Sequence, residues 1–164
     1  MRADDLARLV AALKPPIAEF VKESRVRMTL LINGSGQVLA QHGFTRSYEV
    51  MNVASLAAAA HASARALAEL TAAKRWTHLH HAGRERQLFL APIKTPAAEL
   101  ILVSIFDSDS SLGLVQLFFE RLTQQVAALP AFQHQFAPGT QQSFEKDLEA
   151  GLQRALSDEV RSER

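Results

Sequence analysis

The stretch ASLAAAAHASARALAELTAA, residues 54–73, is more than half alanine and lies between two segments patterned as β-hairpins. Alanine has the highest helix propensity, so the stretch is predicted to be a helix. Its two faces differ in kind. Leu56, Leu67 and Leu70, helped by Ala60 and Ser63, are expected to form the inward stripe, because core helices normally carry the large side chains that fill space. Ala54, Ala58 and Ala62, with His61 and Arg65 beside them, then make a nearly flat outer face. Small residues let another backbone come close, which suits contact with a protein better than a pocket. A solvated alanine face is the plain alternative.

Upstream of this helix, Val26–Ile32 reads as a strand, and Asn33-Gly34-Ser35-Gly36 offers the positive-φ positions of a tight hairpin turn. Gln37–His42 returns as the second strand, with Val38 and Ala40 on one face, and Ser47 or Asn52 is suited to cap the helix. Downstream, Arg75–His81 alternates, turns at Ala82-Gly83-Arg84 and returns as Gln87–Ile93, which Pro92 and Pro96 are expected to close. Leu100–Phe106 is almost wholly apolar, as a central strand buried on both faces should be. Asp107-Ser108-Asp109-Ser110-Ser111 is a run of N-cap residues. It opens a helix over about 112–129 with Leu114, Val115, Phe118, Leu122 and Val126 as its stripe, and Pro130 stops it.

Ahead of the first hairpin, residues 4–23 carry a helical pattern through Leu6, Leu9, Val10, Leu13, Ile17, Phe20 and Val21. Pro15-Pro16 interrupts it. A proline inside a helix costs about 3 kcal/mol, so the helix is expected to end or kink there. The order helix, two strands, helix, three strands, helix implies an α+β domain over residues 1–130, with one five-stranded antiparallel sheet and flanking helices. Residues 131–142, with Pro138-Gly139, read as a linker. Over 143–164, Phe144, Leu148, Leu152 and Leu156 recur every four residues as a detached amphipathic helix. Gly151 costs that helix about 1 kcal/mol relative to alanine, so it needs a partner or a docking surface.

Eighteen basic residues balance seventeen acidic ones among 164, and no basic cluster is interleaved with aromatics, which argues against nucleic acid as a partner. There is no cysteine, hence no disulfide, thiolate chemistry or zinc-finger-type site. The first fourteen residues lack the apolar region of a secretory signal. No apolar run approaches the roughly 18 residues of a membrane span. A cytoplasmic protein without membrane insertion is expected.

His78 and His80 share a strand face at a plausible two-ligand metal spacing, with His81 adjacent, but no carboxylate lies near them in sequence. Polar edge-strand side chains are the simpler account. The Gly-x-Gly of residues 34–36 joins two strands and opens no helix, so it is a turn and not a phosphate cradle. Ser35 and Ser104 lack a nucleophile-elbow context, and Asp107 and Asp109 suit helix capping better than paired carboxylate catalysis. No catalytic set, cofactor site or metal site is expected.

The hairpin Leu30-Leu31-Ile32-Asn33-Gly34-Ser35-Gly36-Gln37-Val38-Leu39-Ala40, the helix Ala54-Ser55-Leu56-Ala57-Ala58-Ala59, and the junction Val103-Ser104-Ile105-Phe106-Asp107 followed by Leu112-Gly113-Leu114-Val115 carry a resemblance. Val26–Leu129 resembles the Roadblock/LC7 family of profilin-like domains, and within it the bacterial MglB branch, whose members regulate the Ras-like small GTPase MglA. The tail over 144–156 is similar to the C-terminal extension of that branch. The resemblance implies a homodimer whose helices and sheets join side by side, with paired alanine helices facing the G protein. It implies Ala58 and Ala62 at that contact; Ala54 shares their face, and helical geometry adds His61 and Arg65. It also implies activation of GTP hydrolysis without an inserted arginine, by repositioning the GTPase's own residues, in control of cell polarity or motility. The alternative is a Roadblock scaffold that bridges a GTPase to other proteins without activating it. A ligand-binding sensor of similar architecture would need a polar-lined pocket.

Overall fold

The computed structural model describes residues 3–133, apart from Thr45 and residues 73–75. Its elements are α1 (Ala3–Ser24), β1 (Met28–Asn33), β2 (Val38–His42), α2 (Ser47–Leu70), β3 (Leu79–Ala82), β4 (Gln87–Lys94), β5 (Glu99–Phe106) and α3 (Leu112–Ala127), then a 3₁₀ turn at Pro130–Phe132. The strands form one sheet in the order β2-β1-β5-β4-β3, antiparallel throughout. This is the expected α+β class. Among the described residues no helix is long and apolar enough to cross a membrane.

The sheet separates two layers. Leu31, Phe89, Leu100, Leu102 and Phe106 project into a core shared with Leu9, Leu13, Ile17 and Phe20 of α1 and Val115, Leu122 and Val126 of α3. Leu30, Ile32, Leu90, Ile101 and Val103 project oppositely, onto α2. Strand alternation thus accounts for the continuous apolar runs of β1 and β5: both faces are covered. Ser104 and Thr29 are buried cross-strand partners, their hydroxyls 2.9 Å apart, and Thr29 Oγ1 also donates to the Val103 carbonyl at 2.9 Å.

α1 runs unbroken through Pro15-Pro16, against the expected break. Each proline removes one bond to the carbonyl four residues earlier, at Ala11 and Ala12. Both of those residues lie on the exposed side of the helix, where water can reach the released carbonyls. Leu9 and Leu13 before the pair and Ile17 and Phe20 after it share one buried stripe, which holds the helix together across it. Pro92 likewise does not close its strand but sits inside β4, paired with Ile101. β3 covers β4 only through Leu90, so the edge at Pro92 needs no N–H donor.

Two glycines are fixed by geometry. Gly36 has φ +86°, and a Cβ there would lie 3.3 Å from the Ala54 carbonyl oxygen and from Ser55 Cα, so the β1–β2 turn packs directly on α2. Gly43 has φ +83°, and a Cβ would collide with the Arg27 backbone. Asn33 Oδ1 closes the hairpin turn by accepting from the Ser35 and Gln37 backbone N–H groups at 3.1 and 2.9 Å.

At the opposite end, Arg27 bridges Asp107, at 2.7 Å, and Asp109. The Asp109 backbone N–H and then the Arg27 guanidinium hold the Asp107 carboxyl below its ordinary range. Within the capping run it is Ser111 that caps α3, accepting from the Leu114 N–H at 3.2 Å; Asp107 closes the preceding turn. α2 starts one residue after Arg46, without a side-chain cap, and Asn52 lies inside the helix. Phe132 is fully buried in the α1/α3 core, so the folded part continues past residue 130. The rest of the expected linker, and the tail with Phe144, Leu148, Leu152 and Leu156, lie outside the described residues.

Candidate protein-binding face

The alanine-rich helix is present and lies on the sheet, but turned over from the expected orientation. Ala54, Ala57, Ala58, Ala64 and Ala68 are its buried residues. Ala54 and Ala58 pack with Leu30, Ile32, Leu90, Ile101 and Val103. The large side chains expected to point inward point out: Leu56 is 71% exposed, Leu67 50% and Leu70 84%, with Met51 at 64%. The physical reason is that the sheet supplies the volume on this side. Branched residues from β1, β4 and β5 fill the space, so the helix must be thin where it meets them. Ala54 and Ala58 therefore cannot be a flat outer face; of that set only Ala62 is exposed.

His61 and Arg65 are positioned by this rotation. The His61 side chain is largely covered, its Nε2 3.0 Å from Glu99 Oε1 at the start of β5. Arg65 Nη1 lies 3.7 Å from the same oxygen, and Lys94 Nζ lies 3.9 Å from Oε2. Three basic side chains thus converge on one carboxylate and tie the second half of α2 to the β4–β5 turn. Arg65 remains mostly exposed.

Between that half of α2 and the β3 edge lies an open cleft of about 440 Å³, lined by Ala64, Ala68, Trp76, Leu79, Leu90 and Pro92 among others. Trp76 is itself exposed. β3 is a short edge strand with no neighbour on its outer side among the described residues. Leu67, Leu70 and Trp76 are exposed members of the candidate surface that reading by residue size missed. The available signal was that Ala54, Ala57, Ala58, Ala64 and Ala68 repeat at helical spacing as well as the leucines do.

His78 and His80 are engaged in packing, while His81 is exposed. His78 stacks on Phe89 with ring centroids 5.4 Å apart, and its Nδ1 and Nε2 lie 3.0 Å from Thr77 Oγ1 and 3.3 Å from Gln116 Nε2. His80 stacks on Phe106 at 6.2 Å, its Nε2 2.8 Å from Gln87 Oε1. Among the described residues no group of three or more His, Asp or Glu side chains could hold a metal ion. What the candidate face offers is a long helix showing large apolar side chains and, among the described residues, an open strand edge at β3.

A five-stranded antiparallel sheet carrying two helices on one face and a long helix on the other defines the class. The family model of the Roadblock/LC7 domain matches residues 17–106, more than half of the chain, and the protein belongs to that family. Among solved structures it is similar to Myxococcus xanthus MglB (24% identity, TM-score 0.64, covering 72% of this chain and 86% of that one). It is similar also to the gliding protein MglB of Thermus thermophilus (27%, 0.61, 71% and 87%) and to an MglB with a tetrameric arrangement (28%, 0.59, 74% and 86%). A comparison with curated protein sequences gives no match.

Proposed function

We propose that this protein is a non-enzymatic, homodimeric regulator of a Ras-like small GTPase of the MglA type, stimulating GTP hydrolysis by positioning the GTPase's own residues. The observation that carries the reading is the set of large apolar side chains that α2 leaves exposed, Met51, Leu56, Leu67 and Leu70. A soluble monomer has no use for four large apolar side chains on one helix, so they mark an interface. Family membership and the likeness to MglB structures supply the kind of partner. Leu67, Leu70 and Trp76, together with the β3 edge, are assigned to the second copy of this chain. The members on the first half of α2, Met51 and Leu56 with exposed Ser55, Ala59 and Ala62, are assigned to the GTPase. The stripe of Phe144, Leu148, Leu152 and Leu156 is a second partner-binding element, of the helix-in-groove kind. Cell polarity or motility is the process this reading implies.

Phosphoryl transfer depends mainly on positioning and charge stabilisation, so a regulator with no nucleophile of its own suffices. The test is single-turnover GTP hydrolysis by an MglA-type GTPase with and without the protein. Stimulation that Leu56→Arg abolishes while the fold survives is the expected result. Binding without stimulation would leave the Roadblock scaffold in its place, and no binding would end the GTPase reading.

A further inference from the structure

We propose that the groove between α1 and the β2 edge is the seat of the chain's own C-terminal segment, residues 143–164. The groove is a cleft of about 400 Å³ whose apolar wall includes Val10, Ile17, Leu39 and Ala40. Among the described residues β2 forms the other open edge of the sheet, opposite β3 and on the far side from the cleft beside α2. An apolar trough along an unpaired edge is a feature proteins cover.

Three observations select the occupant. The first is where the chain leaves the domain. Ser110 Oγ donates to the Ser24 carbonyl, and Glu19 meets both Gln125, at 2.8 Å, and Arg121, at 3.5 Å, so α1 and α3 run antiparallel. The end of α3 therefore runs past Glu19 toward the first half of α1, and Phe132, buried in the core that the two helices share, follows it. The second is reach. Residues 134–142 span about 30 Å when extended, and crossing a helix about 10 Å wide uses a fraction of that. The third is chemistry. Among the described residues Lys14 and His42 line the groove and no carboxylate does, while the segment carries six acidic side chains against four basic ones around its apolar stripe. A tethered segment meets such a site at millimolar effective concentration, so modest complementarity suffices. The stripe is then covered in the absence of any partner, and a partner that takes it must first displace it.

The chain contains no cysteine, so one can be introduced for labelling. A nitroxide on Lys146→Cys in the 164-residue chain, with no GTPase present, should broaden the amide signals of Lys14, Ile17, Ala18 and residues 38–42. Those of the α2–β3 cleft, such as Ala64 and Leu79, should stay sharp. Ala18→Arg, at an exposed position on the groove wall, and Leu148→Asp in the segment should each restore the groove signals while the remaining spectrum is unchanged. Mixing spin-labelled with isotope-labelled protein separates the sources, and broadening seen only between copies would make a second copy the occupant and overturn the proposal. Unbroadened groove amides, or broadening indifferent to Ala18→Arg, would overturn it too. None of these readings depends on a GTPase, so the proposal stands or falls apart from the function proposed above.

Discussion

Asp107 shows how much one side chain can organise without being a cap or a catalyst. Its carboxylate takes the Asp109 N–H at 3.0 Å and the Arg27 guanidinium at 2.7 Å, fastening the entry to β1 onto the exit from β5. Those contacts favour the charged form, so its pKa lies below the ordinary 3.8. The sign follows: the carboxylate's contribution is complete above the unfolded value and is lost as pH falls through the lowered folded one. Asp107→Ala should lower the melting temperature at neutral pH, and its deficit against the parent protein should shrink once the pH is taken below about 4. Melting curves of the two proteins from neutral pH downward test this; a deficit constant across the range would remove the carboxylate's charge from the explanation. The pair is solvent-exposed, so the effect is small and salt-sensitive.

At the scale of the element, α2 separates what pattern can tell from what it cannot. Alanine content announces the helix, yet two stripes repeat at 3.6 residues, and the sequence alone offers side-chain size as the tie-breaker. Size points the wrong way because β1, β4 and β5 bring the bulk, leaving room only for Ala54, Ala57 and Ala58. Predictions invert accordingly. Ala58→Leu should destabilise by about 1–3 kcal/mol through overpacking, and Ala58→Arg should prevent folding by burying an unpaired guanidinium. Leu67→Asp should leave the isolated fold intact. Chemical denaturation ranks the three, and a stable Ala58→Arg would return the alanines to the surface. The sheet is legible for the opposite reason: β1 and β5 are apolar at nearly every step, which only a strand covered on both sides explains. The double proline of α1 misleads because a local cost says nothing of the stripe of Leu9, Leu13, Ile17 and Phe20 that spans it. Helical geometry puts His61 beside Ala62, but its tie to Glu99 depends on a residue thirty-eight positions away, which that geometry alone does not reveal.

For the whole molecule, the distribution of apolar surface sets the state of assembly. Both sheet faces are covered within one chain, and among the described residues the large apolar side chains that remain exposed are Met51, Leu56, Leu67 and Leu70 of α2, Trp76 ahead of β3, and Leu117 of α3. A twofold axis near the β3 edge would let two strands pair and two α2 helices lie side by side, so one operation removes both liabilities. The expected particle is twice the 18.0 kDa chain. Because association stabilises only the folded state, the melting temperature should rise with protein concentration by mass action. Leu67→Asp, neutral to the isolated fold, should abolish that dependence and yield a monomer by light scattering at micromolar concentration. The two measurements constrain each other. A monomeric parent protein whose melting temperature ignores concentration would leave the exposed side chains of α2 to the GTPase alone. A dimer that survives Leu67→Asp would place the twofold contact on another face, with the β2 edge and its groove the next surface to probe.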